Sequence, residues 1–140
     1  MNIEIVKKDT LHEMHRMTGH LGSKLHAAEI LASTPDDELR LNGMWSNVVS
    51  KLANIIGRYS TPVIYDDKVV FPLHMPPNWR EEHLSNLQLQ CQVYVQNELY
   101  ASWLDCVKPD MAAFHRSLNA DTQIAITHLL ELRKPPVRTS

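Results

Sequence analysis

The histidines are the first residues whose type and spacing could support chemistry, because imidazole both ligates metals and transfers protons near neutral pH. The chain has eight of them. His12, His15 and His20 form the densest cluster, with Glu13 between the first two. On a helix His12 and His15 share a face, but the cluster lacks the four-residue histidine spacing of zinc proteases. We therefore predict solvated histidines and no metal or cofactor, with a metal-binding role for His12, His15 and His20 as the alternative.

Two carboxylates, Glu98 and Asp105, lie on an otherwise apolar stripe of a predicted helix. Such a pair could serve as acid and base or as metal ligands. A buried charge normally persists only when it is paired, so we expect partners among Arg58, Lys108 and Arg116. The sequence also has no phosphate-binding glycine loop and no nucleophile beside a base. The sequence thus shows no catalytic or cofactor motif, no catalytic residue is assigned, and the residues alone do not identify a function.

The two cysteines of the chain, Cys91 and Cys106, fall on the same predicted helix, where their Cα atoms would lie about 22 Å apart. A disulfide requires a Cα separation below roughly 7 Å, so they cannot pair with each other. Neither has an adjacent cation or a helix N-terminus that would lower its thiol pKa. We predict small buried apolar side chains in a reducing compartment, which indicates a cytoplasmic protein.

Residues 81–107 form the predicted helix that must position most of these side chains, and they include neither Pro nor Gly. One apolar stripe comprises Leu84, Leu87, Cys91, Val95, Leu99 and Cys106. A second stripe, on nearly the opposite side, comprises Leu89, Val93, Tyr100, Trp103, Leu104 and Val107. A helix that is apolar on two sides needs two neighbours, and the second is either another element of this chain or another subunit. We therefore take Tyr100, Trp103 and Leu104 as candidate partner-interface residues, with coverage by the N-terminal helix as the open alternative.

A short β-hairpin is predicted at about residues 62–72, before the long helix. Two β-rich runs, residues 63–65 and 69–71, flank a turn of Asp-Asp-Lys composition. A lone hairpin is marginal in water, so it must pack on the helices or pair with another chain. Tyr65 and Val69 therefore join the candidate partner-interface residues.

Two helices are predicted before the hairpin. The first runs over residues 9–25, with Asp9 or Thr10 as N-cap, and the glycines at positions 19 and 22 should kink or end it. The segment that precedes it is either a short strand or an extended arm. The second covers residues 35–60, with Thr34 as N-cap and Pro35 at the first helical position.

A fourth helix is predicted from Pro109 to Arg133, because residues 108–110 break the long helix and Pro135 forbids continuation. Its expected core stripe comprises Met111, Phe114, Leu118, Ala125, Leu129 and Leu132. The fold class is thus mainly α, a bundle of about four helices with a hairpin between the second and third. We expect one domain over residues 1–134 and a mobile tail over residues 135–140.

Composition excludes several classes of protein. The net charge of −2 argues against an overall electrostatic affinity for nucleic acid or anionic membranes. No apolar run approaches the roughly 18 residues that a membrane helix needs, so no membrane association is expected. Arg133, Lys134 and Arg138 form a small basic patch that could touch DNA only if many copies were arrayed in a ring.

The chain resembles small helical proteins of bacterial phages and prophages, of the head–tail connector or adaptor type. The residues that carry this resemblance are 9–25, 36–39, Trp45, 94–95, 99–104, 108–110 and 132–138. The resemblance implies a non-enzymatic structural protein that assembles as a homo-oligomeric ring at the portal and contacts other phage structural proteins. A helical-bundle metal-binding protein or enzyme, and a generic protein-interaction module, are the competing hypotheses.

Overall fold

The structure is a computed structural model that describes residues 1–24 and 37–135. These residues form β1 (Asn2–Val6), α1 (Lys7–Lys24), α2 (Glu38–Ile56), β2 (Val63–Ile64), β3 (Lys68–Pro72), α3 (Leu84–Val107) and α4 (Pro109–Glu131). A single 3-10 turn, Glu81–His83, leads into α3. The predicted fold class is confirmed: the described residues are mainly helical, and the hairpin β2–β3 lies between the second and third helices.

Helix α3 lies at the centre of the fold and contacts β1 and the other three helices. Leu87, Cys91, Val95 and Leu99 of its first stripe are buried, and so are Tyr100, Trp103 and Leu104 of its second. Both apolar sides of α3 therefore face neighbours that belong to the same chain. The exceptions are Leu89 and Cys106, which are exposed, and Val93, which is half-buried.

The sheet has the strand order β1-β3-β2, and both pairs are antiparallel. The N-terminal segment is thus a strand, which pairs with the hairpin and supplies the neighbour that a hairpin needs in water. Period-2 alternation directs Ile3, Ile5, Val69 and Phe71 to one face of the sheet, where all four are buried in the core shared with the helices.

The predicted N-cap of α1 is wrong. The helix begins at Lys7, directly after β1, and Thr10 lies inside its first turns with its hydroxyl donating to the Val6 carbonyl at 2.8 Å. Nor does the helix end at Gly19, since α1 continues to Lys24. Burial of Met14 and Thr18 on the core side offsets the roughly 1 kcal/mol that a helical glycine costs.

Helix α2 is shorter than predicted, because it ends at Ile56 and the following residues turn, with the Tyr59 amide donating to the Ile56 carbonyl at 2.8 Å. Its core face has helical spacing, with Leu41, Trp45 and Val48 buried. The expected start signal at Thr34 and Pro35 lies outside the described residues, as does the end of the first predicted helix at residue 25.

Helix α4 is present as predicted, but only part of its predicted core stripe packs on the core: Leu129 is buried and Met111 and Leu132 are partly buried. Phe114 is 61% exposed and Leu118 is 49% exposed. The buried side consists of Ala112, Asn119, Ile126, Leu129 and Leu130. Apolar residues occur on both sides of this helix, so periodicity alone does not determine which side packs on α3. A polar contact made by Asn119, described below, helps to determine it.

Candidate functional site

The histidine cluster of α1 does not form a ligand set. His12 and His20 are exposed and His15 is half-buried. The described part of the chain contains no group of three His, Cys, Asp or Glu side chains placed to hold a metal ion. Glu13, between the first two histidines, is paired with Arg16, whose Nε lies 2.9 Å from Glu13 Oε2. This hydrogen bond lowers the pKa of Glu13.

Among the residues that the structure describes, Glu98 is the buried carboxylate, with 7% of its surface exposed. Its Oε2 lies 3.2 Å from Lys51 Nζ, and its Oε1 accepts a hydrogen bond of 3.1 Å from Asn119 Nδ2. The same Asn119 nitrogen donates to the Tyr94 carbonyl at 3.1 Å. The ion-pair partner is therefore Lys51 of α2, which the sequence analysis did not identify because no local spacing connects it to Glu98.

A shallow groove of about 430 Å³ opens above Glu98. Its walls include Lys51, Tyr94 and Arg116. Burial, reinforced by the negative charge of Glu98, raises the pKa of Tyr94 to about 12, so this phenol stays protonated at neutral pH. Both oxygens of Glu98 are already engaged. The groups that meet here form a hydrogen-bonded connection between helices, without a free acid and base that could act on a substrate.

Asp105 pairs with Arg116, as the sequence analysis predicted. Both guanidinium amino groups contact the carboxylate, and Arg116 Nη1 lies 2.6 Å from Asp105 Oδ1. The hydrogen bonds from Arg116 lower the pKa of Asp105. Both side chains are partly exposed, so the pair ties the end of α3 to α4 at the surface.

The two cysteines have different environments. Cys91 is buried, as predicted, and burial raises the pKa of its thiol to about 12. Cys106, which the sequence predicted to be buried, is exposed: in the last turn of α3, Leu104 and Val107 pack on the core, and Cys106 lies on a different side of the helix. Neither thiol has a histidine or cationic partner in the described residues that would make it a nucleophile.

Four of the five candidate partner-interface residues are core residues of this chain. Tyr100, Trp103, Leu104 and Val69 are between 0% and 6% exposed. The guanidinium of Arg40 lies 4.9 Å from the centre of the Trp103 ring, and the His115 ring meets Tyr100 edge-on at 4.8 Å. A partner could reach these side chains only by displacing helices of the same chain. Tyr65, which is 51% exposed, is the member of the set that a partner can contact directly.

The two edges of the sheet differ. On β1, the side-chain amide of Gln88 accepts from the Glu4 N–H at 2.9 Å and donates to the Glu4 carbonyl at 2.7 Å. The Val6 carbonyl accepts the hydroxyl of Thr10. Polar side chains thus occupy the outer edge of β1. On β2, no hydrogen bond from the described residues reaches the outer edge, and Ile64 is 70% exposed there.

A second exposed apolar surface lies on α4. Phe114, Leu118 and Ile124, 61%, 49% and 66% exposed, occur within about 120° of the helix circumference at 100° per residue. They cover about 15 Å of its length. We call these three residues the α4 outer face. Single exposed apolar residues are ordinary, whereas several on one side of a helix indicate an interaction surface.

The basic C-terminal patch is partly used within the fold. Arg133 donates from Nη1 to the Leu130 and Leu132 carbonyls at 2.8 and 2.7 Å, and from Nη2 to the Tyr59 hydroxyl at 3.1 Å. It therefore caps the end of α4 and ties it to the segment after α2. Lys134 remains exposed, and Arg138 lies outside the described residues.

Comparisons of the chain with protein-family models, with curated proteins and with solved structures found no match. Among the helices that the structure describes, none is long and apolar enough to cross a membrane.

Proposed function

We propose that this chain is a non-enzymatic structural subunit of phage or prophage origin, of the head–tail connector type, which acts by assembling with copies of itself and with other phage structural proteins. The observation that carries the proposal is the α4 outer face, because Phe114, Leu118 and Ile124 are exposed on the side of α4 opposite its core contact. An apolar surface of this kind is stabilised when a partner covers it.

The ion pairs between the helices support a structural role over an enzymatic one. The ionisable side chains that meet between the helices, Glu98 with Lys51 and Asp105 with Arg116, are engaged with one another and tie helices together. The proposal therefore assigns no catalytic residue. Assembly would take place in the cytoplasm of a bacterial host, and the product would be part of the virion.

The test is a native mass spectrum of the purified protein, recorded before and after incubation with zinc and removal of excess metal. We expect a closed homo-oligomer whose mass does not depend on zinc. The double variant Phe114→Glu, Ile124→Glu should lose the oligomer and keep the circular dichroism of the wild type, because both side chains are exposed in the single chain. Leu89→Glu, at an exposed apolar position of α3, is the matched control.

Two outcomes would contradict the proposal. A wild-type protein that remains monomeric at every concentration would remove the role of the α4 outer face in self-assembly. One zinc ion held tightly per chain would favour the metal-binding hypothesis for the histidines of α1 instead.

A further inference from the structure

An apolar row that crosses the sheet ends in an uncovered residue. Ile5 lies directly opposite Val69, and Val69 lies directly opposite Ile64. Residues directly opposite each other in antiparallel strands place their side chains on the same face. Ile5 and Val69 are fully buried, whereas Ile64 is 70% exposed. The core-facing row therefore continues to the edge of the sheet, where the helices no longer cover it.

The backbone of Ile64 is also directed outward. The Tyr65 N–H donates to the Lys68 carbonyl at 2.9 Å, so the next pair along the hairpin, Ile64 with Val69, is a non-hydrogen-bonded pair. The N–H and C=O of Ile64 consequently point away from β3, and no group in the described residues bonds to them. Because Gln88 and Thr10 occupy the outer edge of β1, the edge at β2 is the one that can accept a further strand.

We propose that β2 pairs with β2 of a second copy of this chain, antiparallel and about a two-fold axis at Ile64. In this register Ile64 of each copy exchanges two backbone hydrogen bonds with the other, and the apolar row becomes continuous across both sheets. Val63 of each copy then lies opposite Tyr65 of the other, a β-branched and aromatic pair of the kind that stabilises antiparallel sheets. The strand is thus complementary to itself.

The charges beside β2 favour this arrangement over a parallel one. Asp66 and Asp67 follow the strand, are exposed, and form no ion pair within the described residues. Parallel pairing would place the acidic turns of the two copies side by side, whereas antiparallel pairing places them at opposite ends. The strand itself contains no charged residue, although charges are a common means of preventing edge pairing. Asp66 then faces Pro62 of the other copy, whose carbonyl can accept the Asp66 N–H.

This contact goes beyond the proposed connector function and uses a different surface. A two-fold contact closes on itself and forms a dimer, whereas a ring requires a head-to-tail contact. Because the strand is short and three exposed side chains take part, the buried area is below the roughly 800 Å² per partner of a standard interface. The dimer should therefore be weak and dependent on concentration.

The experiment is sedimentation equilibrium over a concentration series, in the Phe114→Glu, Ile124→Glu background, where contacts of the α4 outer face do not contribute. We expect a monomer–dimer equilibrium. Ile64→Lys should raise the dissociation constant by about tenfold or more, because two lysines would then face each other across the axis. Leu89→Lys should leave the constant unchanged, and circular dichroism would establish that all variants fold.

A cross-linking experiment tests the register. In a Cys106→Ser background, Ile64→Cys should form a disulfide-linked dimer with copper phenanthroline as oxidant, much faster than Leu89→Cys in the same background. Equal rates would overturn the proposal, as would an Ile64→Lys protein that dimerises like its parent. A parent protein that stays monomeric would also overturn the proposal, because a second copy would then not occupy the β2 edge. A strand of a different partner would be the remaining occupant of that edge.

Discussion

Each oxygen of the Glu98 carboxylate has its own donor, Lys51 Nζ on one side and Asn119 Nδ2 on the other. The two contacts are not equivalent, because the Lys51 side chain is 50% exposed and an ion pair open to solvent contributes little. Asn119 is 1% exposed, so loss of its amide would leave a buried acceptor without a donor, at a cost of about 1–3 kcal/mol. The Asn119 contact therefore helps to orient α4 on α3.

The two thiols should differ in reactivity. At about pH 8 we expect the native protein to react with one equivalent of a thiol reagent, at Cys106, and the denatured protein with two, because the thiolate is the reactive form. Burial raises the pKa of Cys91 to about 12 from an ordinary value of 9.0. The stability that this neutral thiol contributes is therefore complete below about pH 9 and is lost as the pH rises towards 12.

Substitution separates the two thiols. Cys106→Ser should abolish the reaction of the native protein, and Cys91→Ser should leave its rate unchanged. The burial of Cys91 would be contradicted if it reacted in the native protein as fast as Cys106.

Three glutamines of α3, spaced four residues apart, connect this helix to the N-terminal strand and helix. Gln88 bonds to both backbone groups of Glu4, Gln92 donates to the Thr10 hydroxyl at 3.2 Å, and Gln96 donates to the Thr10 carbonyl at 3.1 Å. Because an open sheet edge invites pairing with other chains, the Gln88 amide has a second effect besides stabilisation: it closes β1 to further strands.

Replacement of Gln88 should therefore weaken the attachment of β1. We expect Gln88→Ala to lower the free energy of unfolding by about 1–2 kcal/mol, since two hydrogen bonds are lost, and to speed hydrogen exchange at the Glu4 amide. Gln90→Ala is the matched control, because the Gln90 amide contacts only Asn86 of the same helix, at 3.4 Å. Urea denaturation and amide exchange measure both effects. Equal losses of stability in the two variants would contradict the role assigned to Gln88.

The sequence predicted the features that depend on neighbouring residues and missed those that depend on distant ones. The long helix and the hairpin follow from local periodicity and composition, and both are present. For the N-terminal segment, a short strand and an extended arm both remained open, because the partner of β1, strand β3, lies more than sixty residues away. The core side of α4 was predicted only in part, because apolar residues such as Ile124 and Ile126 occur on nearly opposite sides and a polar residue, Asn119, lies at the contact.

At the scale of the whole molecule, the central position of α3 determines which surfaces remain for partners. Tyr100, Trp103 and Leu104 of its second stripe were one candidate interface from sequence, but they are buried within the same chain. Two apolar surfaces that stay exposed among the described residues, the α4 outer face and the β2 edge, lie on elements at the periphery. Assembly through these surfaces would leave the core of each subunit unchanged, as expected when a folded monomer precedes the oligomer.

This arrangement makes a specific prediction for Trp103, which is 3% exposed. Trp103→Glu removes a large buried aromatic side chain and brings a carboxylate into the core, so it should cost about 4 kcal/mol or more. Because native domains are stable by only about 5–15 kcal/mol, we expect a large loss of folded monomer in urea denaturation followed by circular dichroism. Leu89→Glu, on the same helix but 57% exposed, should change stability by less than about 0.5 kcal/mol. A Trp103→Glu protein that folded normally and failed only to assemble would place Trp103 at a subunit contact and contradict coverage of α3 by its own chain.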